Sequence, residues 1–151
     1  MTDHEPINDL LARYEGAVAD KDVDAFVALY DNDVRVFDAW GSWSHDGASE
    51  WRRTVEEWFG SVGDDRIAVE FHELEAVFDR GVAAAHAVVT FKGLTPEGKE
   101  LRAIDNRLTW TLRQTHEGSW RIVHEHTSVP IDVETSKPVP RPDHDQASPA
   151  A

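Results

Sequence analysis

Two runs near the C-terminal end of the chain constrain its fold most. Residues 101–113 read Leu-Arg-Ala-Ile-Asp-Asn-Arg-Leu-Thr-Trp-Thr-Leu-Arg. Ile104, Leu108, Trp110 and Leu112 fall on even positions; Ala103, Asp105, Arg107, Thr109, Thr111 and Arg113 fall on odd ones. This alternation predicts a strand with one apolar and one polar face, and Asn106 is its single break. In the run from Ser119 to Pro130, Trp120, Ile122, His124, His126 and Ser128 share one face, and Arg121, Val123, Glu125, Thr127 and Val129 share the other. The segment 114–118, ending in Gly118, predicts a hairpin loop between them. A register with Trp110 opposite Ile122 would set Arg107 against Glu125 and Asp105 against Thr127. Directly opposed Cβ atoms lie about 5 Å apart. Asp105, Arg107 and Glu125 would then form a charged cluster, either a solvated outer face with an ion pair or one wall of a polar cavity.

Upstream, Thr2 and Glu5 have the spacing of a capping box, and Ile7, Leu10, Leu11, Tyr14 and Val18 follow helical spacing, so residues 4–20 are expected to form an amphipathic helix. A second, short helix is expected from Asp22, with Phe26, Val27, Leu29 and Tyr30 as its apolar residues. Residues 34–38 predict a short strand, followed by a turn through Trp40 and Trp43. Asp46 is the expected cap of a third helix, whose face carries Trp51, Val55, Trp58, Phe59 and Val62. Strands are expected at 67–78 and 82–92, the second apolar on both faces as in a buried strand. Helices followed by consecutive strands predict an α+β layer fold, in which a curved, mainly antiparallel sheet wraps three N-terminal helices into a cone with one mouth. Residues 1–130 form the expected domain. Residues 131–151 hold four of the seven prolines and are expected to be a mostly disordered tail.

Composition narrows the function classes. At 151 residues, 40% of them hydrophobic, the chain suits one domain with one core. Fifteen basic against 29 acidic residues give a net charge of −14, which repels nucleic acid and anionic membranes; neither is an expected partner. With no cysteine there is no disulfide, thiol nucleophile or Cys-ligated zinc. No stretch has the ~20 apolar residues of a membrane span, and the acidic N-terminus does not read as a secretory signal, so a cytoplasmic location is expected. His124 and His126 share a strand face and could ligate a metal given a third ligand, but no supporting spacing accompanies them; no metal or other cofactor is expected. His86, in the apolar strand, is either a core histidine or a pocket residue. Trp40 and Trp43 either stack on a flat ligand at the mouth or cover the helix layer.

Residues 5–130 resemble the nuclear transport factor 2-like superfamily, and within it the ketosteroid-isomerase-like and SnoaL-like branches. The resemblance is carried by Arg13-Tyr14, by the segment 21–38 (Lys-Asp-Val-Asp-Ala-Phe-Val-Ala-Leu-Tyr-Asp-Asn-Asp-Val-Arg-Val-Phe-Asp), by Ala103-Ile104-Asp105, and by Gly118 to Ser128. This last piece also resembles the association domain of calmodulin-dependent kinases, which implies a pocket role for Arg107. The superfamily includes isomerases, cyclases, hydrolases and binding modules without chemistry. The isomerase resemblance implies a proton-transferring base at Asp38, with Tyr14 and a protonated Asp105 as hydrogen-bond donors to a developing oxyanion. Arg107, Glu125, Trp40, Trp43, Trp58, His86, Val123 and Thr127 complete the expected ligand-binding set. The function these features imply is a small-molecule pocket protein, a proton-transfer isomerase or cyclase acting on a carbonyl compound. The alternative is a non-catalytic ligand-binding or oligomerisation domain. Burying the apolar even face, in a superfamily where dimers are common, implies a homodimer through the sheet.

Overall fold

The computed structural model describes residues 5–141. A single 3-10 turn, Glu5–Ile7, leads into α1 (Asn8–Asp20) and α2 (Val23–Val27). After β1 (Tyr30–Phe37), β2 (His45–Asp46) and α3 (Ala48–Ser61) come four long strands: β3 (Arg66–Asp79), β4 (Val82–Leu94), β5 (Glu100–Gln114) and β6 (Trp120–Ser128). One six-stranded sheet results, in the order β2-β1-β6-β5-β4-β3. All neighbours run antiparallel except β1 and β6, which are parallel. This is the α+β architecture expected, with the helices on the concave side of the sheet.

Local sequence accounts for the helix boundaries, with two corrections. Leu10, Tyr14, Ala17 and Val18 recur at helical spacing and are the buried residues of α1. The helix starts at Asn8, later than expected, and Thr2 of the anticipated capping box lies outside the described residues. Asp22 caps α2 by accepting a hydrogen bond from the Ala25 N–H at 3.0 Å. Asp46 does not cap α3; it ends β2, and Gly47 takes the cap position. Gly47 has φ +89°, a conformation that disfavours side chains, and its N–H binds the Val34 carbonyl at 2.7 Å, tying α3 to β1.

The hairpin register also differs from expectation. Trp110 pairs with Glu125, not Ile122; Leu112 pairs with Ile122, Leu108 with Thr127, and Arg107 with Ser128. The ladder shifts between Thr111, which pairs with His124, and Leu112, so Val123 has no partner opposite it. Such an extra residue is a β-bulge, and because side chains alternate along a strand it reverses which of them point inward. Trp120 and Ile122 are buried on one side of the bulge, Glu125 and Thr127 on the other. Strict alternation puts these pairs on opposite faces.

The apolar row of β5 consequently faces the helices: Leu108, Trp110 and Leu112 are core residues, not the sheet-to-sheet contact inferred for a dimer. The outer wall of β5 and β6 is polar, with exposed Arg107, Thr109 and His126. The core is rich in aromatic edge contacts; Tyr14 meets Phe26 at 4.8 Å and Phe71 at 5.3 Å between ring centroids.

Residues 131–141, expected to belong to a disordered tail, take a defined path. Ile131 and Pro138 form an isolated antiparallel bridge, and Asp132 accepts hydrogen bonds from the Glu134 and Thr135 N–H groups at 2.9 Å each. The Arg141 carbonyl accepts from the Asp105 N–H at 2.8 Å, and the Arg141 side chain pairs with the buried Asp105 carboxylate at 3.0 Å. This segment thus lies along β5 beyond the end of the β6 pairing. Its polar contacts anchor residues whose composition supplies little apolar area. Arg141→Ala is expected to destabilise the fold by about 1–2 kcal/mol, because it strips a charged partner from a buried carboxylate while the arginine itself is half exposed. Urea unfolding of wild type and variant checks this.

Candidate active site

A cavity of about 750 Å³ opens between α1, α3 and the concave face of the sheet. Its walls are largely apolar and aromatic: Trp51, Val55 and Trp58 from α3, Val89 and Phe91 from β4, and Ile104 and Leu108 from β5. Tyr14, Asp38, Trp40, Asn106, Glu125 and Thr127 bring polar atoms to it, as do Thr54, Glu57, Ser61 and Asp65 around α3 and Lys92 and Arg102 from β4 and β5. Polar groups set in a mostly apolar concavity are what a small-molecule site requires.

Asp38 lies just after β1, where the strand ends and the chain turns away. Its Oδ1 accepts a hydrogen bond from the Thr127 hydroxyl at 2.9 Å. Thr127 in turn accepts from the Ala39 N–H at 2.8 Å, so β6 fixes both the carboxylate and the turn that carries it. Burial raises the Asp38 pKa above the ordinary carboxylate range. The Thr127 hydrogen bond, the neighbouring His45 and the Trp40 and Ala39 backbone oppose that rise.

Glu125 sits deeper. It is 3% exposed, and its Oε1 accepts two hydrogen bonds, from the Tyr30 hydroxyl at 2.7 Å and from the Trp110 Nε1–H at 2.8 Å. Burial dominates, and with the added charge of Asp38 it pushes the Glu125 pKa up to about 7 against the effect of both donors. Because both donors converge on Oε1, a proton on Oε2 leaves their bonds intact. The Tyr14 hydroxyl interacts with that of Tyr30, and burial followed by the charges of Glu125 and Asp38 raises its pKa. Tyr30 is raised for the same leading reason, so both phenols remain protonated donors.

Of the residues selected from sequence, Tyr14, Asp38, Trp40, Trp58, Glu125 and Thr127 line one cavity. The others lie elsewhere. Asp105 is on the far side of β5, where its carboxylate accepts from the Thr90 hydroxyl at 2.6 Å and pairs with Arg141. Arg107 is on the same outer side, and its Nε donates to Ser128 Oγ at 3.0 Å. Asp105, Arg107 and Glu125 therefore form no cluster. Val123 is the bulge residue, His86 is exposed on β4 with Glu75 at 3.8 Å, and Trp43 is 93% exposed; none of the three lines the cavity. Sequence reasoning does not single out Tyr30 and Trp110, the partners of Glu125, for a site role. Tyr30 reads as part of the apolar set of α2, and Trp110 as part of a surface between subunits. Asn106 stands out only as a break in a pattern.

Among the described residues, no group of three or more His, Asp or Glu is placed to hold a metal ion, and no helix is long and apolar enough to cross a membrane.

The class of protein defined here is an α+β fold in which helices cap a curved sheet over one largely apolar, aromatic cavity. Residues 7–132 match the family model described as the SnoaL-like domain, and the chain belongs to that family. The family lies within the nuclear transport factor 2-like superfamily, which includes isomerases and cyclases. Among solved structures, the chain is similar to a nuclear transport factor 2-like protein of unknown function from Pseudomonas putida, with 26% identity, a TM-score of 0.77, and coverage of 91% of this chain and 93% of that one. It is also similar to the protein Aln2 from a Streptomyces species, with 15% identity, a TM-score of 0.75 and coverage of 83% and 89%. A putative calcium/calmodulin-dependent protein kinase II association domain from Xanthomonas campestris shares the fold at 16% identity, with a TM-score of 0.70 and coverage of 85% and 88%. No curated protein matches the sequence.

Proposed function

We propose that this protein is an isomerase or cyclase that moves a proton beside a carbonyl group, with Asp38 as the base and neutral Glu125 as the hydrogen-bond donor to the carbonyl oxygen. The observation that carries this reading is the pairing of two carboxyl groups in one cavity with different surroundings. Asp38 is partly buried and held by hydroxyl and backbone donors; Glu125 is fully enclosed. Such surroundings separate a pair of acids into an ionised base and a protonated donor near neutral pH. Asp38 ionises while Glu125 keeps its proton, and the charge on Asp38 then raises Glu125 further.

The reaction follows from these roles. Asp38 removes a proton from the carbon next to the carbonyl, and the C–H electron pair becomes the C=C bond of an enolate. The carbonyl π electrons move to oxygen, which takes a stronger hydrogen bond from Glu125. Collapse of the enolate with return of the proton to the γ carbon gives the conjugated isomer; attack of the enolate carbon on a second carbonyl in the same molecule forms the ring C–C bond, breaks that C=O π bond, and leaves an alkoxide that takes the proton back from Asp38. A donor fixed where charge develops contributes about 3–4 kcal/mol to such a step. The donor role that the family resemblance implied for Asp105 falls to Glu125 in this reading, with Tyr14 and Tyr30 behind it.

The test is ultraviolet-monitored conversion of a β,γ-unsaturated ketone to its conjugated form. Acceleration over buffer that saturates with ketone is expected. A rate indistinguishable from buffer across pH 5–8, with saturable binding of the ketone, would overturn the catalytic reading in favour of a ligand-binding domain.

A further inference from the structure

Asn106 occupies a position where an apolar side chain would be expected. From Ile104 to Leu112 the inward-facing residues of β5 are Ile104, Asn106, Leu108, Trp110 and Leu112, and Asn106 is the polar one among them; Arg102, nearer the start of the strand, also lines the cavity but is exposed. It pairs with Val89 of β4, is 5% exposed, and lines the cavity. Among the described residues its Oδ1 has no hydrogen-bond partner. Asparagine is depleted within strands, and a buried amide oxygen without a donor is unfavourable compared with an apolar group of similar shape. Its neighbours Val89, Ile104 and Leu108 would accept a leucine on packing grounds alone. Folding therefore gives no reason for an amide here; the cavity does.

The position of Asn106 defines what it can read. Leu108, two residues along the same face, pairs with Thr127, and Thr127 holds Asp38. Asn106 and Thr127 are thus diagonal cross-strand neighbours, roughly 7–8 Å apart. The immediate strand neighbours of Asn106 (Val89, Ile104 and Leu108) are apolar, and Trp58 and Phe91 add aromatic faces to the same cavity, which Lys92 and Arg102 also line.

We propose that Asn106 is a specificity residue selecting carbonyl compounds whose apolar ring body carries a hydroxyl group at the end remote from the reacting carbonyl, the hydroxyl donating its hydrogen bond to Asn106 Oδ1. This rests on the reading of the cavity as a carbonyl-compound site and specifies the substrate class. The ring body lies against Trp58 and Phe91, and the hydroxyl supplies the donor that the protein does not.

The test compares two probes, 2-acetylnaphthalene and 6-acetyl-2-naphthol, by quenching of tryptophan fluorescence in wild type, Asn106→Leu and Asn106→Ala. One correctly placed hydrogen bond corresponds to a factor of about 10 in Kd. Wild type is expected to prefer the hydroxylated probe by about that factor. Both variants are expected to bind the two probes within about 2-fold of each other, with the affinity for 2-acetylnaphthalene almost unchanged. Asn106→Leu should unfold at or above the wild-type temperature. A hydroxyl that gains nothing on wild type, a preference that survives in both variants, or saturable binding of neither probe would overturn the proposal. A lowered unfolding temperature with equal weakening of both probes would also overturn it, since that pattern belongs to a structural residue. The readout needs no turnover. A preference abolished in the Asn106 variants of a protein that isomerises no ketone would sink the proton-transfer reading and leave the hydroxyl site standing.

Discussion

Replacing Asp38 with asparagine is expected to lower kcat/KM for β,γ-unsaturated ketone isomerisation by about 10²–10⁴-fold, the range that a positioned general base contributes. Asparagine is nearly isosteric, and its amide oxygen can still accept the Thr127 hydrogen bond that orients the native carboxylate. The cavity wall, the turn and the β6 contact survive, so ketone binding should change less than about 3-fold while the chemical step is lost. The expected result is therefore a fall in kcat with KM nearly constant. Removing the Asp38 charge also lets Glu125 ionise at a lower pH, because that charge helps raise its pKa. Single-turnover measurements across pH 5–8 separate the two, since the loss of the base persists at every pH while this secondary effect grows as Glu125 loses its proton. Full turnover in Asp38→Asn would remove Asp38 from the role of base. Wild-type kcat/KM should rise with pH as Asp38 loses its proton, at a pH above the ordinary carboxylate range, and fall through about pH 7 as Glu125 loses its own.

The α+β class and the order of elements were legible in the sequence because they rest on periodicity. Alternation marked the strands, the spacing of Leu10, Tyr14 and Val18 marked α1, and the turn around Gly118 marked the hairpin. What could not be read was the phase of the last strand. One unpaired residue, Val123, moves Glu125 and Thr127 to the same side of the sheet as Trp120 and Ile122. No local signal in Ile-Val-His-Glu announces that bulge, since Val and Ile suit either face of a strand. The Asp105–Arg107–Glu125 cluster was built on the unbulged phase and disappears with it. Asp38, Tyr14 and Thr127 are each selected individually and meet in one cavity, but the hydrogen bond from Thr127 to Asp38 depends on the phase that the bulge gives β6. Asp105 illustrates a second limit. A buried carboxylate in mid-strand calls for a partner, and that partner, Arg141, lies in a segment whose composition suggested no structure.

Replacing Glu125 with glutamine is expected to remove most of one pH-dependent component of stability. In the folded protein Glu125 has a pKa of about 7 against an ordinary value of 4.5. Between those two pH values the native state holds a proton that the unfolded chain has released, so folding stability falls as pH rises through this window and levels off above it. A shift of this size corresponds to about 3 kcal/mol at pH 8 relative to pH 4. Asp38, also raised by burial, adds a change of the same sign at lower pH. Glutamine keeps an oxygen for the Tyr30 hydroxyl and the Trp110 Nε1–H and carries no charge at any of these pH values. The variant should match wild type within about 1 kcal/mol at pH 4–5 and exceed it by about 2–3 kcal/mol at pH 8, a gain of roughly 5–12 °C in unfolding temperature for a chain of this length. Taking the difference between variant and wild type at each pH cancels the contributions of the many surface carboxylates. Urea denaturation at pH 4, 5, 6, 7 and 8 gives that difference directly. A difference that is flat with pH would mean that Glu125 ionises as an ordinary carboxylate in the folded protein, and it could not then be the neutral donor at the base of the cavity. If the difference grows with pH as described, the falling limb of the wild-type activity profile should disappear in Glu125→Gln, because the amide N–H₂ continues to donate where the native carboxyl has lost its proton.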